Sequence, residues 1–207
     1  MEKKLDSIED VIQDIKNGKL VIVMDSKERE NEGDFIGAAS MVTPSLINFM
    51  LSYARGAFIA VFMPHGRSDN LKIPPMIEKN DSFNVTNFRI SVDAKIGKSG
   101  SSALDRANTV TLLADPLAKP EDFVRPGHVI PIEAHSNGLL KRQGHTEAGV
   151  ALVQLAGLDP PVAVDLEILD TDGTMANEEK LFSLAREMGM KIIDIESILD
   201  VLKQTEN

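Results

Sequence analysis

The chain has 207 residues, 43% hydrophobic and 26% charged, with a net charge of −10 and no cysteine. That length suits one domain that buries its own core. The acidic balance argues against nucleic acid as a partner, because phosphate backbones are bound by dense Lys and Arg surfaces; the missing thiols exclude disulfides and Cys-held metal sites.

Met1-Glu2-Lys3-Lys4 leads into a polar stretch without the apolar segment of a signal peptide. No run approaches the roughly 20 apolar residues of a membrane span. The expectation is a cytoplasmic protein that does not engage a membrane. From Ser7 to Gly18 the pattern predicts a helix: Ser7 and Asp10 resemble a capping box, Ile8, Val11, Ile12 and Ile15 share a face, and Gly18 stops it. Leu20–Met24 is a short buried strand, Asp25–Asp34 a charged loop, and Phe35–Ala39 a second strand. Pro44 opens a helix carrying Leu46, Ile47, Met50 and Leu51, and Ala57–Met63 is another strand. Gly66–Asn87 shows no period and reads as a long functional loop. Phe88–Val92 alternates like a strand, Ser102–Leu113 is helical, and Pro116–Pro126 is a turn-rich linker. Then come a strand at Val129–Ala134, a helix at Thr146–Ala156, an apolar run at Val162–Leu169 broken by Asp165 and Glu167, a helix at Glu178–Met188, a strand at Lys191–Ile193 and a helix at Ile195–Leu202. Strands and helices alternate without a strict βαβ rhythm. The fold expected is α/β (α+β), a single domain over residues 1–207 layered around a mixed sheet.

Three polar groupings stand out. Asp25–Asp34 sets Glu28, Glu30, Glu32 and Asp34 around one Arg, directly after a strand. Alternate acids on extended chain point one way, as a hard cation requires; by charge alone the same run is a solvated turn. Arg142-Gln143-Gly144-His145-Thr146-Glu147 opens a helix. Its free N–H groups, Thr146 and the Arg142 guanidinium suit a phosphate, and His145 can be a metal ligand. The plainer alternative makes Thr146 an N-cap and leaves Arg142 on the surface. Glu167 ends an apolar strand, where desolvation raises a carboxyl pKa towards that of a general base; Asp170 and Asp172 follow it. Gly127-His128-Val129 opens a strand, and a lone His there is more often structural.

Taken together, Arg29-Glu30-Asn31-Glu32-Gly33-Asp34, Ser102-Ala103-Leu104-Asp105-Arg106, Arg125-Pro126-Gly127-His128-Val129, Gly144-His145-Thr146-Glu147-Ala148 and Asp172-Gly173-Thr174-Met175-Ala176 resemble, in order and spacing, the 3,4-dihydroxy-2-butanone-4-phosphate synthases. The resemblance covers about residues 7–202. It implies a three-layer α/β sandwich around a mixed sheet, a homodimer, and Mg²⁺ or Mn²⁺, two ions per site. It implies a lyase of riboflavin biosynthesis that converts ribulose 5-phosphate to 3,4-dihydroxy-2-butanone 4-phosphate and formate. By the same resemblance Glu30 and His145 hold metal. Arg29, Glu30, Asp34, Arg142, Gln143, Gly144, His145, Thr146 and Glu167 contact substrate, with Arg142, Thr146 and nearby backbone amides at the phosphate. The resemblance implies that His128 and Glu167 are essential to catalysis; a 2-ketose must also be enolised, and a carboxylate such as Asp34, Glu32 or Glu167 can take that proton. One extra residue near Asp159-Pro160-Pro161 makes Asp170 the rival to Glu167. The loop at 66–87 is the candidate lid.

The chain departs from the family pattern at Ser26 and Lys27, in a strand at 57–63 without Cys, at Arg89, and at Lys98-Ser99. These bear on rate and packing rather than on reaction class. The fused GTP cyclohydrolase II domain of many relatives is not expected, since it uses Cys-bound zinc. The competing readings are a non-catalytic sugar-phosphate binder and a metal-dependent sugar-phosphate isomerase.

Overall fold

The computed structural model describes residues 4–205; the first three residues of the leader reading lie outside it. Seven strands form it: β1 (Val21–Met24), β2 (Gly33–Ala38), β3 (Ala60–Met63), β4 (Val92–Ala94), β5 (Phe123–Glu133), β6 (Ala163–Glu167) and β7 (Ile192–Asp194). They make one sheet in the order β4-β5-β3-β6-β2-β1-β7. β3 and β5 run parallel, as do β1 and β7, and the other pairs are antiparallel. The sheet is mixed, as expected. The central strands read as unbroken apolar runs because both faces are covered.

Eight helices, among the described residues, cover those faces: α1 (Ile8–Lys16), α2 (Pro44–Tyr53), α3 (Arg67–Asn70), α4 (Ala103–Leu113), α5 (Gly138–Lys141), α6 (His145–Leu155), α7 (Glu178–Met188) and α8 (Ile195–Thr205). One core places Ile22, Phe35, Val61 and Val164 against α2, α4 and α7. The other places Val23, Ile36, Phe62 and Ala163 against α1, α6 and α8. Alternate strand residues thus feed opposite cores, giving three layers. Ser7, Thr43, Ser102 and Asn177 cap their helices through side-chain oxygens, each contributing about 1 kcal/mol. No helix among the described residues is long and apolar enough to cross a membrane.

Several boundaries differ from the sequence reading. β2 begins at Gly33, so Asp34 is a buried strand residue rather than the end of a loop. β5 begins at Phe123, inside the stretch read as a linker, because Pro126 and Gly127 disguise its start. β3 starts at Ala60, not Ala57. The Phe88–Val92 strand reduces to bridges at Phe88 and Arg89, with β4 beyond them. The 66–87 loop holds the single-turn α3, and α5 was not foreseen.

Helix α6 matters most for the site. A Cβ on its Gly149 would stand 2.8 Å from Phe62 Cδ2 and 3.2 Å from Ala163 Cβ. Only glycine lets this helix settle so closely on β3 and β6, and its first turn then lies over the ends of β1 and β2.

Candidate active site

Asp25 organises the first segment. Its carboxylate accepts the N–H groups of Glu30 (3.1 Å) and Glu32 (2.9 Å) and pairs with Arg29 Nη1 at 2.8 Å. These bonds fold 25–32 back on itself, with Asn31 in the left-handed region at φ 57°, which Asn tolerates better than most residues. Arg29 also pairs with Glu30 Oε2. The solvated-turn alternative is thereby set aside: the segment is ordered around one carboxylate and turns Glu30 and Glu32 inwards.

His145 is the first residue of α6, with Gly144 as N-cap, so Thr146 lies inside the helix and is not the cap. The buried imidazole places Nε2 3.2 Å from the carbonyl of Val23. A carbonyl only accepts, so Nε2–H donates, and Nδ1 carries the lone pair. Nδ1 lies 3.5 Å from Asp34 Oδ2 and 4.0 Å from Glu30 Oε2. Burial lowers the His145 pKa and keeps it neutral. One donor atom each from Asp25, Glu30 and His145 lies within 4.8 Å of the others. Oxygen donors with a neutral imidazole, its far nitrogen fixed by a backbone carbonyl, are a set that could hold a divalent cation.

The cleft takes Arg29, Glu30, Glu32 and Asp34 from the first segment, Arg142, His145 and Thr146 from the second, and Glu167 from the third; its volume is about 90 Å³. A larger cavity of about 600 Å³ lies across the 25–32 loop, but the converging carboxylates favour the smaller one as the chemical site. Asp34 and Glu167 are direct partners across β2 and β6. Asp165, two residues before Glu167, lines the same cleft. Desolvation and neighbouring carboxylates push Glu32 up to about 7. Burial likewise drives Asp34 up to about 7, against a lowering hydrogen bond from Asp165. Burial, then Asp34, raises Asp165 well above its ordinary value, and burial with Asp34 and Glu30 raises Glu167. Four crowded acids, all raised and two of them to about 7, are groups able to take and return protons.

The long loop closes over this cleft. Asn84 Nδ2 donates to Glu30 Oε1, and Arg142 Nη2 donates to Thr86 Oγ1 (3.1 Å) and Asn84 O (3.3 Å). Phe58 and Phe88 pack edge to face beside it, centroids 6.2 Å apart.

Three expected residues lie outside this lining, Gly144 among them as the N-cap of α6. Gln143 lines the larger cavity. His128 sits on β5 outside the cleft lining, its Nδ1 2.7 Å from Asp93 Oδ2 and its side chain 43% exposed. Asp170 is also absent from the lining and pairs with Lys180 at 3.5 Å. The sequence reading quoted Asp25, Asp165 and Glu147 but gave none of them a site role. Asp165 interrupting an apolar strand was the visible signal for one of them.

A model of the family described as 3,4-dihydroxy-2-butanone 4-phosphate synthase matches residues 9–201. The chain belongs to that family. It is 45% identical over 201 residues to a 3,4-dihydroxy-2-butanone 4-phosphate synthase of Neisseria meningitidis serogroup A, covering 97% of this chain and 55% of that protein. It is 47% identical to the riboflavin biosynthesis protein RibBA of Aquifex aeolicus, covering 96% of this chain and 49% of that one. The chain thus spans about half the length of the curated relatives it matches. A crystal structure of 3,4-dihydroxy-2-butanone 4-phosphate synthase in complex with two magnesium ions superposes with a TM-score of 0.92 at 39% identity, covering 98% of this chain and 99% of that one.

Proposed function

We propose that this synthase-family chain converts ribulose 5-phosphate to 3,4-dihydroxy-2-butanone 4-phosphate and formate, for riboflavin synthesis. The observation that carries this is the cleft itself: acids raised towards neutrality beside Glu30 and His145, with Arg142 and the α6 N-terminus at its mouth. Two Mg²⁺ or Mn²⁺ ions would be held by Glu30 and His145, with Asp25 alongside. The residues fit such ions: the donor set is oxygen and neutral imidazole, and Asp34 Oδ1 is a buried oxygen without a hydrogen-bond partner. When bound, divalent cations polarise carbonyl and hydroxyl oxygens and stabilise developing oxyanions.

The chain's own residues do the rest. Arg142, Thr146 and the first N–H groups of α6 grip the phosphate, a pairing favoured by the helix dipole and the guanidinium fork. Arg29 and Asp34 orient the sugar. Enolisation needs a proton removed beside the ketone; Asp34 and Glu32, both pushed up to about 7, and Glu167, raised beside them, are the carboxylates the cleft offers for it. The loop at 66–87, tied down through Asn84 and Thr86, shields reactive intermediates from water.

The homodimer belongs to the same reading. His128, paired with the buried Asp93, stands half exposed beyond the cleft, and Ile96, Leu104 and Val124 expose apolar surface on the neighbouring β4, α4 and β5 region. A second copy docked there covers those side chains and brings His128 to a partner's cleft. A cytoplasmic setting, consistent with a cysteine-free chain and a phosphorylated substrate, completes the proposal. Incubation with ribulose 5-phosphate and Mg²⁺ should release formate. Ketose–aldose interconversion without formate would replace the reading with an isomerase, and binding without any turnover would replace it with a binder.

A further inference from the structure

Arg142 leaves α5 on extended backbone, at φ −126° and ψ 111°, so nothing in its own main chain fixes the long side chain. Behind it stands Glu147, the third residue of α6, only 2% exposed. Glu147 Oε2 pairs with Arg142 Nη1 at 2.7 Å, and Oε1 accepts the N–H of His135 at 2.9 Å. His135 follows the end of β5, so this one carboxylate ties the guanidinium to the sheet. A carboxylate so buried demands a cation, because an unpaired buried charge is strongly disfavoured. The approach of helix to arginine is itself built in: a Cβ on Gly144 would collide with Arg142 Nη1 and stand 3.0 Å from Glu147 Oε2.

We propose that Glu147 is a positioning residue for substrate phosphate: it holds the Arg142 fork facing the cleft, and Gly144 keeps open the space in which the two meet. The inference rests on Arg142 being the phosphate ligand. Glu147 touches no substrate. It acts by removing rotamers that a free Arg would sample before binding, at the expense of some of the guanidinium's net charge. A purely structural Glu147 would instead only fasten the His135 turn to α6.

A double-mutant cycle separates the two. Affinity for ribulose 5-phosphate is measured by calorimetry in EDTA, and KM and kcat with Mg²⁺, for wild type, Glu147→Gln, Arg142→Ala and the double variant. Arg142→Ala should weaken binding at least about 30-fold. Glu147→Gln should weaken it about 10- to 100-fold, mainly through KM, and should add less than about twofold on the Arg142→Ala background. Glu147→Asp, which keeps the charge but shortens the reach to Arg142, should behave the same way and covers the case in which Glu147→Gln does not fold. Wild-type affinity in folded Glu147→Gln, or effects that multiply in the double variants, would overturn the proposal. If Arg142→Ala itself binds normally, the phosphate reading fails first and this inference with it.

Discussion

Asp34→Asn should make the metal-free protein more stable at pH 8 while removing its activity. In the folded chain the Asp34 carboxyl is buried, lacks a partner on Oδ1, and rises from the ordinary 3.8 to about 7. Because the folded value lies above the unfolded one, the unfolded state gives up this proton first as pH rises. The stability is therefore full below about pH 4 and is lost progressively up to about pH 7. At about 1.4 kcal/mol per pH unit, that span corresponds to a penalty of order 4 kcal/mol at pH 8. Asparagine carries no charge, so it escapes this penalty. Urea unfolding of both proteins in EDTA, from pH 4 to 8, measures the difference. The two curves should nearly coincide at pH 4 and diverge steadily to pH 7, with the Asp34→Asn variant the more stable protein, by about 4 kcal/mol at pH 8. A constant offset across that range, or a wild type that is more stable at pH 8, would refute the reasoning. Glu32 shifts in the same direction, but its partial exposure makes its share smaller.

Glu30→Ala and His145→Ala should each weaken Mn²⁺ binding, followed by calorimetry, at least about tenfold; near-wild-type affinity in both would move the metal elsewhere. Asp25→Asn should weaken it too, while also loosening the 25–32 loop, visible as faster amide exchange at Glu30 and Glu32. Gly149→Val should cost about 1–3 kcal/mol through overpacking against Phe62 and Ala163, lowering Tm by about 3–10 °C. An unchanged Tm would mean that α6 can lift freely from the sheet.

Most of the layered fold was legible because its elements announce themselves. Ser7, Pro44 and Ser102 mark helix starts, and Val21–Met24 and Ala60–Met63 are apolar enough to be nothing but buried strands. The boundaries failed where polarity and burial part company. Asp34 reads as the end of a charged loop, yet tertiary packing seals it inside β2. Pro126 closes a stretch that reads as a linker, yet β5 runs through it. The site followed the same logic. Glu30, His145, Arg142 and Glu167 were visible as motif residues, and the fold does bring them into one cleft. Asp25 and Glu147 stood in the same segments without a role, because their importance lies in whom they touch: backbone amides in one case, a guanidinium in the other. His128 shows the reverse, a motif residue that one chain leaves outside its own cleft.

Formate release from ribulose 5-phosphate, followed with Mg²⁺ and again in EDTA, tests the central claim most directly. Stoichiometric formate that appears only with the metal, and is lost in Glu30→Ala and His145→Ala, is the predicted result. Substrate bound in the presence of Mg²⁺ with no formate released would contradict it.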